Sequence, residues 1–310
     1  MSEPVNAERL TMGNAECRTP NSGILALSID RQHAGIDTYQ QGIDMSQKIS
    51  VRVADGITTI ELCDPPANTY SYEMMLELDS AVLAARMDPG VHVIVLRGAG
   101  EKFFCAGANI NMLETADPEF KYYFCLHANE TLNRLEQTPK LVIAALNGHT
   151  VGGGLEVAMA ADIRIAKRDA GKIGLPEVAL GVLPGTGGTQ RLARLVGKAR
   201  AIELMATGRL MSFDEAHGLG IVTGVWGDEE LKGRPFADAV HDYATQFTPP
   251  NKASKAVGRM KRAVQSGAEA GFLEGLAIER EVQQLLFQGE DAKEGLQAHL
   301  EKRMPQFSGR

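Results

Sequence analysis

Short apolar stretches with the spacing of strands alternate with longer stretches of helical spacing through much of this chain. Residues 51–54 and 57–62 flank Asp55-Gly56, a dipeptide that favours a tight turn between two antiparallel strands. Over 71–87, apolar residues recur every three or four positions, which predicts an amphipathic helix. The first part of the pattern is therefore a hairpin followed by a helix.

The succession of strand and helix recurs further along. Residues 92–96 are apolar after His92, and residues 141–146 are continuously apolar, as buried strands are. Another stretch with the pattern of a strand begins at 163–166. Because strands separated by helices bury their apolar faces against one another, the pattern predicts a layered α/β core.

The spacing divides the chain into three regions. Residues 1–45 are polar and acidic without a sustained period, which predicts neither a secretory signal nor a transit peptide. We expect a flexible N-terminal extension; the alternative is that Met45 is the biological start. Residues 46–245 hold the alternating pattern, and residues 246–310 are expected to be helical. The predicted C-terminal helices cover 253–266, 271–287 and 291–303.

Composition narrows the class of protein. The 310 residues are 44% hydrophobic and 23% charged, which predicts a globular protein. The net charge of −7 argues against a nucleic-acid partner, and no apolar run is long enough to predict a membrane span. Four irregularly spaced cysteines fit neither a disulfide framework nor a metal site, which favours free thiols in the cytoplasm. One basic cluster is expected to be a solvated helix face: Lys252, Lys255, Arg259, Lys261 and Arg262.

The glycine triplet 152–154 is the most informative segment. It follows the apolar stretch 141–146 and precedes a helix-forming run that contains Glu156. Glycine lets the backbone approach a ligand closely, and a helix that begins here directs free N–H groups at whatever lies in front. Glu156 follows Gly153 by three residues, so both lie on one face of the first turn. An N–H donor beside a carboxylate can hold an anionic oxygen and transfer a proton.

Two other segments carry similar features. Residues 103–110 follow a predicted strand and place small residues, Ala106 to Ala108, before a helix. Glu177 lies in a second turn, just before the glycine-rich stretch 185–188. In this order and at these intervals, the three segments resemble the crotonase superfamily, and within it the enoyl-CoA hydratases.

The resemblance extends from about Ser46 to the C-terminus. It implies a crotonase-type spiral of ββα units for 46–245 and a C-terminal helical region, 246–310, that builds a homotrimer or a dimer of trimers. It also implies an acyl-CoA thioester substrate. Coenzyme A is then part of the substrate, and neither a separate cofactor nor a metal is expected.

The resemblance also assigns roles to individual residues. Glu156 matches the residue that activates water, and Glu177 matches the one that delivers a proton to the α-carbon. The N–H groups of Ala108 and Gly153 match the oxyanion hole. Contacts with the substrate and coenzyme A are expected at Ala67, Ala106, Asn109, Ile110 and Asn111.

Some positions depart from the pattern of the family. Asn109 stands where Asp is frequent, and either residue can cap the following helix. His299 replaces a frequent Phe, which puts one acyl-CoA contact in doubt. His149 and Cys105 are interpreted as packing residues. The acyl group is expected against Met112, Leu113 and the following helix, where Phe120, Tyr122, Tyr123 and Phe124 cluster, but core packing explains this aromatic cluster equally well.

Two alternatives to a hydratase stay open on the sequence. An enoyl-CoA isomerase would keep the fold and use Glu177 alone. A non-catalytic or RNA-associated member of the superfamily would bind without turnover, although the negative net charge and the presence of both glutamates argue against it.

Overall fold

The computed structural model describes residues 47–310, so the predicted extension 1–45 lies outside the described residues. The described chain folds into strands and helices in the predicted alternation. The strands are β1 (Ile49–Ala54), β2 (Ile57–Leu62), β3 (Val93–Gly98), β4 (Phe103–Cys105), β5 (Leu141–Leu146), β6 (His149–Val151), β7 (Ile163–Lys167), β8 (Ile173–Gly174) and β9 (Gly224–Trp226).

The helices complete the layers. They are α1 (Tyr72–Met87), α2 (Ile110–Thr115), α3 (Pro118–Glu136), α4 (Gly153–Met159), α5 (Gly188–Val196), α6 (Lys198–Thr207), α7 (Phe213–Gly218), α8 (Asp228–Leu231), α9 (Phe236–Thr245), α10 (Ser254–Ala268), α11 (Phe272–Phe287) and α12 (Glu290–Glu301). No helix among residues 47–310 has the length and apolarity needed to cross a membrane.

A six-stranded sheet, in the order β1-β2-β3-β5-β7-β9, forms the main layer. The predicted hairpin between β1 and β2 is present, with Asp55 and Gly56 both at positive φ in its turn. All later neighbours in this sheet pair in parallel. The mixed α/β fold with its spiral of strands and helices is the one that the sequence predicts.

Both faces of this sheet are covered. Side chains of β3 and β5 alternate between two apolar clusters, one with α1, α3 and α4 and the other with α9. Every residue of β5 is buried, which explains why 141–146 is continuously apolar instead of alternating.

A second sheet is small and entirely parallel, in the order β4-β6-β8. Its three strands have only two or three residues each. Because parallel strands end at the same edge of a sheet, the segments that follow β4, β6 and β8 are brought together. These segments are the three that stand out in the sequence.

The C-terminal part is helical, and the predicted bounds agree with α10, α11 and α12 to within about two residues. The interpretation of the basic cluster as a solvated face is wrong for Lys261. This side chain is buried and forms an ion pair of 2.9 Å with Asp162. The pair attaches α10 to the main core.

Large apolar side chains lie exposed along α10, α11 and α12, and α11 buries none of its own residues. These exposed residues are Met260, Val264, Phe272, Leu273, Leu285, Phe287, Leu296 and Leu300.

Candidate active site

The turn after β6 requires glycine at two successive positions. Gly152 has φ +57°, and a Cβ there would lie 2.9 Å from Glu177 Oε1. A Cβ on Gly153 would lie 2.1 Å from the Tyr70 hydroxyl oxygen. Since Gly153 is the first residue of α4, its N–H has no partner within that helix. The backbone here approaches other groups too closely for any side chain.

The turn after β4 is paired with Tyr70. The Tyr70 N–H donates to the Gly107 carbonyl, and the Asn109 N–H donates to the Tyr70 carbonyl, both over 2.9 Å. The Ala108 N–H between them points to the opposite side of this bridge, because donors alternate along an extended chain. Asn109 Oδ1 accepts from the Met112 N–H over 3.1 Å and caps α2, as the sequence predicts.

These turns border a cavity of about 580 Å³ whose wall is mostly apolar. Ala108 and Gly153 both lie on this wall, together with Glu156 and Glu177. Two N–H groups on one side of an apolar cavity can stabilise a negative charge that develops on a bound oxygen. Two carboxyl groups on the same wall can take and give protons.

Glu156 is only 2% exposed and is held by three donors. Its Oε1 accepts from the Thr186 N–H over 2.8 Å and from the Gly188 N–H over 2.6 Å. Its Oε2 accepts from the Thr186 hydroxyl in a very short hydrogen bond. Burial raises the pKa of Glu156, while these hydrogen bonds and the charge of Arg191 oppose the increase. The surroundings of Glu156 contain donors that favour a carboxylate.

Glu177 has a different environment. It begins a 3₁₀ turn, Glu177–Leu180, and its Oε2 is buried without a hydrogen-bond partner among the described residues. Burial raises the pKa of Glu177 to about 7; its own backbone N–H opposes this rise, and the charge of Glu156 adds to it. The two carboxyls therefore differ in their hydrogen bonding, and Glu177 can carry a proton at neutral pH.

Comparison with known proteins matches this architecture to one family. Residues 52–310 match the family model for enoyl-CoA hydratase/isomerase, which is more than half of the chain. The chain belongs to the enoyl-CoA hydratase/isomerase family. The predicted crotonase relationship is thereby confirmed.

Individual relatives in the family cover most of the chain. A probable enoyl-CoA hydratase of Bacillus subtilis is 38% identical over 84% of this chain and 98% of its own length. The crotonyl-CoA hydratase of Syntrophomonas wolfei is 38% identical over 77% and 89% of the two chains. The crystal structure of an enoyl-CoA hydratase from Bacillus anthracis superposes with a TM-score of 0.78 at 35% identity, covering 85% of this chain and 100% of that one.

Most of the predicted site residues meet at the cavity of this family member. Six lie on its wall: Ala106, Ala108, Ile110, Gly153, Glu156 and Glu177. Three others do not lie on this wall: Ala67, Asn109 and Asn111. The Ala67 carbonyl accepts from the Ala106 N–H over 3.0 Å, and Asn111 is exposed beside the cap of α2.

The predicted acyl wall is wrong in part. Leu113 and Phe124 line the cavity, but Tyr122 and Tyr123 are 65% and 56% exposed on α3. Consecutive residues of a helix face different sides, so the aromatic cluster is divided between the cavity and the surface. Met112 and Phe120 pack against the core beside the cavity. The remaining apolar wall comes from the segment that follows Glu177, to which the sequence analysis gave no acyl contact, and it contains Leu180, Val182 and Leu183.

His149 and Cys105, the two side chains near the site that the sequence assigns to packing, both pack against other residues. The His149 ring packs on Phe103 at 5.3 Å between centroids, and Cys105 is fully buried. Burial raises the pKa of the Cys105 thiol to about 12, which leaves it unreactive at neutral pH. Among residues 47–310, no three His, Cys, Asp or Glu side chains group in a way that could hold a metal ion.

Two residues of the site were missed. Thr186 contacts both oxygens of Glu156, and Tyr70 contacts Thr186 across 116 positions of sequence. A polar residue inside the glycine-rich stretch 185–188 is the signal that could have found Thr186. Nothing in the spacing of the sequence relates Tyr70 to that stretch.

Proposed function

We propose that this family member is an enoyl-CoA hydratase, which adds water across the 2,3 double bond of an enoyl-CoA thioester. The proposal is carried by one observation. One carboxyl held by three hydrogen-bond donors and a second whose buried Oε2 has no partner among the described residues lie on the same cavity wall as the backbone of Ala108 and Gly153. The names of the relatives described above agree with it.

The two N–H groups would bind the thioester oxygen. When a hydroxyl adds to the β-carbon, negative charge moves from the double bond onto this oxygen. Donors at Ala108 and Gly153 stabilise that charge, and the loss of one such donor costs about 3–4 kcal/mol of transition-state stabilisation.

The two carboxyls would move the protons. Glu156, as a carboxylate, accepts a proton from water while the hydroxyl forms its bond to the β-carbon. Glu177, in its protonated form, gives its proton to the α-carbon. The product has gained one water, and the enzyme returns to its starting state when a proton leaves Glu156 for solvent and another returns to Glu177.

The remaining contacts follow the same proposal. Ala106 and Ile110 would meet the pantetheine and acyl parts of the substrate from the cavity, and Ala67, Asn109 and Asn111 would contact coenzyme A beyond it. The reaction needs no cofactor besides the coenzyme A that the substrate carries.

Assembly and location belong to the proposal as well. A homotrimer or a dimer of trimers would cover the exposed apolar side chains of α10, α11 and α12. A cytoplasmic location is supported by the free thiols of Cys63, Cys105 and Cys125.

The test is turnover of a panel of enoyl-CoA thioesters in ¹⁸O-labelled water. We expect a labelled 3-hydroxyacyl product from the wild type. Glu156→Gln and Glu177→Gln should each lower kcat by at least about 100-fold, because each keeps the shape and removes one proton transfer. Glu229→Gln, at an exposed glutamate of α8, is the matched control and should keep full activity. Near wild-type turnover by a site variant would remove that residue from the mechanism.

The same experiment separates an isomerase. Glu177 alone, with its pKa of about 7, could move a proton between two carbons. An isomerase would shift the double bond without incorporating the label, and it would keep turnover in Glu156→Gln.

A further inference from the structure

Two hydroxyl groups, those of Tyr70 and Thr186, are linked to Glu156 by consecutive hydrogen bonds. The Tyr70 hydroxyl is 3.1 Å from Thr186 Oγ1, which in turn contacts Glu156 Oε2. Tyr70 and Thr186 are 2% and 3% exposed and both border the cavity; their hydroxyls hydrogen-bond to each other and, through Thr186, to Glu156.

The direction of these hydrogen bonds follows from counting protons. A carboxylate can only accept, so Thr186 donates its single hydroxyl proton to Glu156. Thr186 then has only acceptor capacity left, and Tyr70 must donate to it. When Glu156 is a carboxylate, the chain therefore runs from Tyr70 through Thr186 to Glu156.

Protonation of Glu156 can reverse this direction. Oε1 already accepts two backbone N–H groups, those of Thr186 and Gly188, so both of its lone pairs are engaged. A proton taken from water is then best accommodated on Oε2. The new carboxyl O–H can donate to Thr186, and Thr186 can donate to the Tyr70 oxygen without any heavy atom moving.

Both ends of the chain are fixed to the site. The backbone of Tyr70 brackets the Ala108 turn through its bonds to Gly107 and Asn109. The stretch that carries Thr186 is attached to α3, because Asn129 Nδ2 donates to the Gly185 carbonyl over 3.1 Å.

Arg191 holds the same stretch from the other side. Its guanidinium donates to the Thr186 carbonyl over 3.3 Å and is paired with Glu136 at 2.9 Å. The hydroxyl chain thus connects the proposed oxyanion turn to the proposed base through rigid supports.

We propose that Tyr70 and Thr186 form a reversible hydroxyl relay that positions Glu156 and keeps it hydrogen-bonded in both of its protonation states. This inference rests on the proposed hydratase function. Tyr70 and Thr186 act through Glu156 as positioning residues. The other charged or titratable groups that face Glu156 are Glu177, Arg191 and Cys125, and the substitutions below leave all three in place.

The test uses side chains that keep shape and change only the hydroxyls. Thr186→Val removes the hydroxyl that contacts Glu156, and Thr186→Ser keeps it. Tyr70→Phe removes the hydroxyl that contacts Thr186. Thr58→Val is the matched control, because Thr58 is buried in β2 and its hydroxyl has no partner among the described residues. Initial rates of crotonyl-CoA hydration are measured between pH 5 and pH 9, on assemblies of unchanged size.

Thr186→Val should lower kcat at least about tenfold and change KM less than about twofold, since the bound substrate keeps its contacts. Loss of a donor to the carboxylate should move the acidic limb of kcat/KM up by roughly one pH unit. Tyr70→Phe should move the limb in the same direction by less. Thr186→Ser and Thr58→Val should retain the wild-type profile.

Three results would overturn the relay. One is an unchanged acidic limb in both Thr186→Val and Tyr70→Phe. Another is equal impairment by Thr186→Ser and Thr186→Val, which would assign the effect to shape. The third is a full additional loss from Thr186→Val in the Glu156→Gln background, where a relay that acts through Glu156 has nothing left to lose. A wild type that hydrates no enoyl thioester would instead refute the proposed function.

Discussion

The raised pKa of Glu177 makes hydration depend on pH near neutrality, and dehydration must share this dependence because the overall reaction takes up no proton. Hydration needs the proton on Glu177 as the donor to the α-carbon. Dehydration starts with the same single proton on Glu156, so both directions need the two carboxyls to share one proton. Burial of the Glu177 carboxyl, whose Oε2 has no hydrogen-bond partner among residues 47–310, raises its pKa to about 7. The relevant titration therefore falls in the range where both directions can be measured.

The size of the effect follows from the protonated fraction. With a pKa of about 7, about nine tenths of Glu177 is protonated at pH 6 and about one tenth at pH 8. At an ordinary glutamate pKa, only about one three-hundredth would be protonated at pH 7. Burial thus increases the active fraction for hydration at neutral pH by about two orders of magnitude.

The assay follows kcat/KM, which reports the free enzyme, in both directions from pH 5 to pH 9. Hydration should fall about tenfold from pH 6 to pH 8, and dehydration should fall by the same factor, because the equilibrium constant of the reaction does not depend on pH. Glu177→Gln should lose this pH dependence of kcat/KM, and Glu229→Gln should keep it. A value of kcat/KM for hydration that stays constant from pH 6 to pH 8 would refute the reasoning. So would a pH-dependent fall that persists in Glu177→Gln.

The remaining predictions concern stability and close contacts. Because the folded pKa of Glu177 lies above the value near 4.5 of an unfolded glutamate, the fold retains a proton that the unfolded chain releases, and wild-type stability falls as pH rises from about 4.5 to about 7. Glu177→Gln should therefore have a Tm that exceeds the wild-type Tm by more at pH 8 than at pH 5; an equal difference at both would argue against burial as the cause. Gly153→Ala should lower kcat at least about tenfold, since its methyl group would meet the Tyr70 hydroxyl, and wild-type kinetics in a folded variant would contradict that contact. Lys261→Met should lower the free energy of unfolding in urea by about 3–5 kcal/mol by leaving its buried carboxylate partner unpaired, while Lys255→Met on the exposed side of the same helix should have little effect.

The elements that local chemistry determines could be predicted from the sequence. The turn at Asp55 and Gly56 and the Asn109 cap are short-range features, and both are present. The resemblance also identified Glu156 and Glu177, which lie on the same cavity wall. Local spacing and motif order were sufficient for the fold and for these two carboxyls.

Contacts between segments that are distant in the sequence could not be predicted from local spacing and motif order. The burial of Lys261 depends on Asp162, and the environment of Glu156 depends on Thr186, 30 residues away. The prediction that Tyr122 lines the acyl site is a different kind of error. The helical period already shows that Tyr122 and Phe124 face different sides of the helix. Because the aromatic residues were grouped without regard to the helical period, the predicted acyl wall was too large.

The small β4-β6-β8 sheet separates the parts of the protein that determine reactivity from those that determine substrate range. Ala108, Gly153 and Glu177 all follow strands of this sheet, so their relative placement depends on two short parallel pairings. The apolar wall instead comes from α2, α3 and the segment around Val182, which these pairings do not hold. Substitutions in the wall can therefore change which acyl group fits while the proton-transfer groups stay in register, so the acyl preference of this fold can be altered by selection without rebuilding its chemistry.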